Sequence, residues 1–400
     1  PAHLFHRRTP LLLQVYAPLR AFLAELVPTW RSTRLTNLAL LAGAILSRRS
    51  LCLSELARSY PGGSSHHVRK KRLWRFLENR ALELGALRRQ LTYLALHTLR
   101  VPVGGLLPLL VDSTYWLPYG VLAASVPRAG RALPLHWRTF RRDLAGEPER
   151  SQHHLEVRFL AECLARVPGE YTPVVVADRG FGRASLCHWL HAHGWRYVLR
   201  VAADVWLHHP TYTGRARALP LRPGQRRWLP GVRYRQDGVV TVHLLAVWRR
   251  DCAEPWLLAT NLADPAEVER LYRRRMQIEH GFRDWKHHLR LRLPQRRLVQ
   301  RARRLGRLIT ALVLAYWFTL LVGLRALPRG YARQVSSWGK VSVFRLGLEL
   351  LTWPPPDTPP RLARLLDWVA RVLAPSRLDP PAWRLRYRRF RPRYPAYAPL

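Results

Sequence analysis

Three carboxylates carry the chemistry that this sequence could support. Asp112 closes the apolar run in "GGLLPLLVDSTYW", Asp178 closes the one in "YTPVVVADRGF", and Glu279 sits inside the arginine-rich stretch "YRRRMQIEHGFRDWK". Metal-assisted phosphoryl transfer needs two or three carboxylates, drawn from distant parts of a chain, around divalent cations roughly 3.5–4 Å apart. Hard Mg2+ prefers such oxygen ligands. The chain has only 25 acidic residues against 67 basic ones, so two aspartates ending paired apolar strands are informative. Taken singly, each reads equally well as a turn residue that terminates a strand.

The surroundings of Glu279 add a second pattern. On a helix turning about 100° per residue, with Tyr272 at zero, Arg275 falls near ~300°, Glu279 near ~340° and Lys286 near ~320°. All four then share one stripe, a carboxylate among cations and an aromatic ring. Such a face could bind a metal through the acid while the cations hold phosphates. Lys286 is one of four lysines in a chain that writes nearly every other cation as arginine.

The elements that must position these residues are legible in outline. Residues 1–100 read as helices, interrupted by "PGGSS" and resumed with the basic start "HHVRKKRLWRF". A helical bundle with one basic helix suits DNA, and a solvated charged face fits the same residues equally well. From residue 100 the texture changes to short buried strands ending at Asp112 and Asp178, with "LPLHWRTFRRD" as a further strand. "SQHHLEVRFLAECLARVPG" and "GRASLCHWLHAHG" read as helices and "WRYVLRVAADVWL" as a strand, which predicts an α/β sheet covered by helices. Residues 203–261 alternate and turn often, the mark of a β-rich insertion. Asp264 then caps a helix with Pro265 in its first turn and Glu267 near the positive end of the dipole. The tail "PSRLDPPAWRLRYRRFRPRYPAYAPL" is Pro-rich, basic and aromatic, and is expected to be extended, with a phosphate backbone as one surface it could lie along.

The net charge of +42 on 400 residues implies a polyanionic partner, nucleic acid first and an anionic membrane second. The arginine bias suits phosphate contacts, and a GC-rich genome would produce it too. Cys52, Cys163, Cys187 and Cys252 form no CxxC pair, which argues against zinc and disulfides and for a reducing compartment. The paired histidines (His66–His67, His153–His154, His208–His209 and His287–His288) point too far apart on a helix to share a metal. No signal peptide is evident, and the missing initiator Met points to a trimmed start. "LITALVLAYWFTLLVGL" reaches the lower limit of a membrane span, but its context favours a buried core helix.

The spacing Tyr-x2-Arg-x3-Glu-x6-Lys, met by Tyr272, Arg275, Glu279 and Lys286, resembles the signature of DDE transposases of the insertion-sequence-four group. "VDST", "VVVADRGF" and "EPWLLATNL" resemble that family's first-aspartate strand, second-aspartate motif and insertion-ending strand. The resemblance runs from about residue 70 to 325. It implies an RNase H-like mixed-sheet catalytic core over 101–325 with the β-rich insertion at 203–261. A helical DNA-binding domain over 1–100 would precede it, and C-terminal helices with the basic tail over 326–400 would follow. Asp112, Asp178 and Glu279 would be the catalytic, metal-binding triad for two Mg2+ ions, with Mn2+ able to substitute. Tyr272, Arg275 and Lys286 would hold phosphates around a flipped nucleotide on which Trp256 stacks; Trp256 also reads as a core tryptophan. Arg179 would meet a phosphate, or be a surface residue. Arg69, Lys70, Lys71, Arg72 and Arg75 would grip the terminal inverted repeat.

The implied activity is cut-and-paste transposition: nicking at the 3′ ends, hairpin formation and resolution, then strand transfer into target DNA. The implied partners are double-stranded DNA and a second copy of the chain, in the bacterial cytoplasm with the nucleoid and no membrane. Two other readings compete. An inactive or co-opted descendant would bind DNA without cutting it, and a nuclease of the same fold would cut without joining.

Overall fold

The structure is a computed structural model that describes residues 11–79, 82, 84–99, 105–116, 119–141, 152–235, 238–289, 302–335, 340–353 and 358–378. The chain opens with five helices, α1 (Leu11–Leu26), α2 (Ser32–Arg48), α3 (Leu53–Ser59), α4 (His66–Glu78) and α5 (Leu84–Leu99). Strands β1 (Leu106–Trp116), β2 (Tyr119–Arg128) and β3 (Arg131–Arg141) follow, then α6 (Gln152–Leu164), β4 (Thr172–Ala177), α7 (Ala184–Ala192) and β5 (Arg196–Arg200). Next come β6 (Trp206–His209), β7 (Tyr212–Arg215), β8 (Arg226–Arg235), β9 (Val239–Val247) and β10 (Trp256–Thr260). Helices α8 (Pro265–Arg273), α9 (Met276–Arg283), α10 (Ala302–Ala326), α11 (Ala332–Val335), α12 (Val343–Thr352) and α13 (Thr358–Leu378) complete it. The strands form one mixed sheet in the order β3-β2-β1-β4-β5-β10-β9-β8-β6-β7. The α/β expectation therefore holds, and the basic tail after residue 378 lies outside the described residues.

The chain divides into two compact units. The first holds Pro1–Ala95, Asp112–Leu144 and Met276–Leu373. Its β2–β3 hairpin turns through Ala129 (φ 48°) and Gly130 (φ 75°), the pair of positive φ angles that matches a tight turn to strand twist. Helix α10, the apolar stretch that could have been taken for a membrane span, is the core of this unit. Every residue from Leu308 to Leu321 is at most 3% exposed, packed among α2, α4, α12 and β3. Helices α10 and α12 approach through two glycines. A Cβ on Gly347 would lie 1.9 Å from the Thr319 carbonyl oxygen, and one on Gly323 2.0 Å from that of Val343. Only glycine permits that spacing.

The second unit holds Leu96–Val111, Ala145–Arg275 and Ala374–Leu400. Here β1 pairs in parallel with β4 through Leu106–Val111, and β4 in parallel with β5. The remaining strands run antiparallel, β5 to β10, β10 to β9, β9 to β8, and β6 to both β8 and β7. Strand β4 is buried from Pro173 to Ala177, which explains its unbroken apolar run. Helix α8 packs on β4, β5 and β9, and α7 on β5 and β9.

Several local expectations are corrected. Strand β1 does not end at Asp112 but continues to Trp116, because "STYW" is rich in β-branched and aromatic residues that sustain a strand. Strand β2, "YGVLAASVPR", was not anticipated: its uniform burial hides the alternation that marks a strand. The strand expected over 195–207 is two strands, β5 and β6, separated by residues 201–205. The single helix expected over 272–286 is broken. Arg274 and Arg275 donate to the carbonyls three residues back, Leu271 (3.1 Å) and Tyr272 (2.9 Å), so the chain tightens into a 3-10 turn between α8 and α9. After α9, residues Asp284–His288 widen into a π turn, closed by Leu289 N–H donating to the Asp284 carbonyl at 3.1 Å.

Candidate active site

In the second unit the site is built on the end of β4. Asp178 follows the buried strand with extended backbone, and a 3-10 turn (Arg179–Phe181) reverses the chain behind it. Gly182 then passes so close to β5 that a Cβ would sit 2.2 Å from the Arg200 carbonyl oxygen. The second glycine of "ADRGFGR" thus fixes the loop that presents Asp178.

Helix α8 brings the partners. Its start is set by Asp264, whose Oδ1 accepts from Ala266 N–H at 2.9 Å, with Pro265 in the first turn as expected. At its far end Tyr272 is 3% exposed and donates its hydroxyl to Asp178 Oδ1 at 3.4 Å. Arg275, 6% exposed, places Nη1 3.8 Å from Asp178 Oδ2 and its guanidinium 5.9 Å above the Tyr272 ring. Burial pushes the Tyr272 hydroxyl up to about 12, the Asp178 charge adds to this, and Arg275 and Arg200 oppose it. The phenol therefore keeps its proton at neutral pH and remains a donor to Asp178.

Trp256, at the start of β10, is half-buried and meets the Tyr272 ring edge-on, with centroids 5.0 Å apart and planes at 67°. The Arg249 guanidinium lies 5.4 Å from the Trp256 ring. Trp256 is thus not the fully enclosed core tryptophan that one reading of the sequence allowed. Arg179 is exposed and pairs with Glu254 (3.0 Å), whose same oxygen also takes Arg200 (2.6 Å). Neither Arg200 nor Glu254 was singled out from the sequence. Arg200 repeats the Asp178 signal, a charged residue at the end of a buried strand, and that signal could have found it.

In the first unit Asp112 lies within β1, its Oδ1 accepting from the Ser113 N–H at 2.7 Å. Glu279 is half-buried on the first turn of α9, and Lys286 is exposed on the π turn. On the same turn as Lys286, the buried Asp284 is gripped by Arg131 from the hairpin turn, with Nε 2.5 Å from Oδ2 and Nη2 3.3 Å from Oδ1. Burial pushes the Asp284 carboxyl up and Arg131 pulls it back. His280 Nδ1 lies 3.2 Å from the Gly130 carbonyl, a second tie between α9 and the hairpin.

Also in this unit, α4 is capped by Ser65, which accepts from Val68 N–H at 3.4 Å. Its Lys71, Arg72 and Arg75 are exposed along a groove of about 620 Å3 shared with Asn37, Val68 and Phe76. Arg69 and Lys70 are half-buried; Arg69 donates to the Tyr60 carbonyl (2.8 Å), and Arg72 Nε to Asn37 Oδ1 (2.9 Å).

The structure therefore brings Asp178, Tyr272, Arg275 and Trp256 together in one unit, and places Asp112, Glu279 and Lys286 in the other. Among the described residues no group of three His, Cys, Asp or Glu side chains gathers as a metal centre. Their four cysteines are free thiols.

No curated protein matches the chain. Residues 149–317 match the family model described as a transposase DDE domain. That span contains Asp178, Arg179, Trp256, Tyr272, Arg275, Glu279 and Lys286 and begins after Asp112. With the acid, tyrosine and arginine of its second unit in contact inside the matched span, residues 149–317 carry a transposase DDE domain, the kind found in metal-dependent enzymes of phosphoryl transfer on DNA.

Proposed function

We propose that the chain is a cut-and-paste transposase of the insertion-sequence-four group, with Asp112, Asp178 and Glu279 as its metal-binding acids. The observation that carries this reading is the cluster of Tyr272, Arg275 and Trp256 around Asp178 within the matched domain. The donor set fits Mg2+, since all three groups are hard carboxylates and the Asp178 side chain is 32% exposed. Two Mg2+ ions, or Mn2+ in their place, would activate the attacking oxygen and stabilise the leaving oxygen.

The chain's own residues supply the rest. Tyr272 and Arg275 approach opposite oxygens of Asp178 and fix its rotation. Arg275 and Lys286 neutralise phosphates as charge builds on the transferred group. Trp256 offers its indole to a base turned out of the duplex, and stacking there offsets an unpairing cost of a few kcal/mol. Arg69, Lys70, Lys71, Arg72 and Arg75 on α4 grip the terminal inverted repeat, and Arg179 divides its time between Glu254 and phosphate. A dimer bridges two transposon ends at the bacterial nucleoid, and one site performs nicking, hairpin formation, resolution and strand transfer.

The test uses a plasmid carrying the gene with its native flanks, purified protein and Mg2+. Paired cuts at inverted repeats, abolished by Glu279→Ala, are expected. Binding without cuts, alike for both proteins, would instead identify an inactive descendant, and cuts without joining a nuclease.

A further inference from the structure

Away from the acids, the C-terminal helices of the first unit enclose a cationic pocket of about 390 Å3, within the range of ligand sites. Arg325 and Arg329 line it from the end of α10 and beyond, and Arg361, Arg364 and Arg371 from α13, with Asp367 as the only acid among its lining residues. On α13 the three arginines fall within ~80° of one face, at spacings of three and seven residues. A run of like charges on one helix face costs stability rather than adding it.

Two of these side chains are held by aromatic rings. The Arg361 guanidinium lies 3.9 Å from the Tyr331 ring centroid and that of Arg325 4.3 Å from Trp368. Arg329 Nη1 donates to the Arg325 carbonyl. Burial, then the neighbouring Arg329 and Arg364 charges, pull the Arg361 guanidinium below its ordinary value. Five arginines around one concavity, two of them stacked on rings and with a single carboxylate among the lining residues, suit a multiply charged anion.

We infer that this pocket is a second, sequence-independent DNA site that holds the phosphodiester backbone. The inference rests on DNA being the family's substrate and is independent of the acids and of α4. Guanidinium forks suit phosphate oxygens, and a total charge of +42 implies a polyanionic partner. A backbone contact of this kind carries no base information.

The test measures binding of a duplex lacking any inverted repeat, without divalent metal, by fluorescence anisotropy over a range of salt. Each phosphate contact contributes about −0.9 to the slope of log K against log salt. The triple variant Arg361→Gln, Arg364→Gln, Arg371→Gln should flatten that slope by roughly two to three, while the corresponding triple Lys variant keeps it. Reading binding without divalent metal, on a duplex that lacks the repeat, separates this inference from the reading of the active site. An unchanged slope in a Gln variant that melts like wild type overturns the inference. So does thermal stabilisation by inorganic phosphate with no change in the duplex slope, which would make the pocket a small-anion site. Should the Gln variant fail to fold, hydrogen exchange on the wild-type protein decides: duplex must protect peptides spanning 358–371, and no protection refutes the site.

Discussion

The pair formed by Arg131 and Asp284 makes a prediction that depends on asymmetry. The Asp284 side chain is 2% exposed and that of Arg131 17%. Replacing Arg131 by Met leaves the buried carboxylate with the Tyr316 hydroxyl and with His288, 3.8 Å away and disfavoured as a cation by its burial, whereas replacing Asp284 by Asn leaves an arginine that can turn to water. Breaking a buried pair by removing the accessible partner costs about 3–5 kcal/mol. Losing the charged hydrogen bonds alone costs on the order of 1–3 kcal/mol. Local opening of α9 and the hairpin should therefore rise by roughly two to four decades in Arg131→Met, and by clearly less in Asp284→Asn. Hydrogen exchange of peptides from 276–289 and 119–141 reads this directly.

The pH dependence carries a sign. Burial already raises the Asp284 carboxyl above its unfolded value, so its protonation favours the folded state. Its contribution is fully present below the ordinary carboxylate value and is lost as pH rises through the raised, folded one. Without Arg131 the folded value climbs further, because the guanidinium that lowered it is gone. Arg131→Met should then regain stability on mild acidification, in a window where Asp284→Asn shows no such gain. Equal damage from both substitutions, or no recovery on acidification, would refute the stranded-charge reasoning.

Two further outcomes test the packing and the base-stacking surface. Trp256→Ala should lower cleavage of fully paired transposon ends about 10–100-fold, the loss of roughly 1–3 kcal/mol of stacking. Ends with an unpaired base at the flipped position should recover most of that loss, measured as single-turnover cutting, and equal loss on both substrates would assign Trp256 a structural role instead. Gly347→Ala places a methyl 1.9 Å from the Thr319 carbonyl oxygen and should force α10 and α12 apart at a cost of about 1–3 kcal/mol or more. A melting temperature like that of the exposed control Trp353→Ala would show that the helices separate without strain.

What the sequence disclosed follows from how local each signal is. The cap at Asp264, the strand leading to Asp178 and the burial of α10 are each written in one continuous stretch of sequence, and the structure agrees with all three. Strand β2 was missed because its buried run has no period to read, and β1 ran past Asp112 because neighbouring β-formers outweighed a turn-prone aspartate. The Glu254 bridge between Arg179 and Arg200 joins residues 54 and 75 positions apart, and pairings of that reach leave no spacing signal in a single chain. Asp284 was invisible for the opposite reason. It reads as one more charge in a charged stretch, and only the fold turns it inward towards Arg131.

The broken helix shows how a wrong geometric premise can still yield the right neighbours. A uniform 100° step sets Tyr272 and Arg275 some ~60° apart, close but not aligned. In the structure the chain passes from Tyr272 to Arg275 through a 3-10 turn, in which residues three apart eclipse. The guanidinium is thereby set 5.9 Å from the ring it follows, and both side chains reach the same carboxylate, one at each oxygen of Asp178. A spacing of three residues between tyrosine and arginine is thus served better by the tight turn than by the regular helix. The same reasoning does not extend to Lys286, which follows Glu279 by seven residues and lies on the π turn, where the chain no longer advances by the regular helical step. The first half of the motif is therefore fixed by local backbone geometry, and the second half depends on how the Arg131–Asp284 pair anchors the turn that carries Lys286.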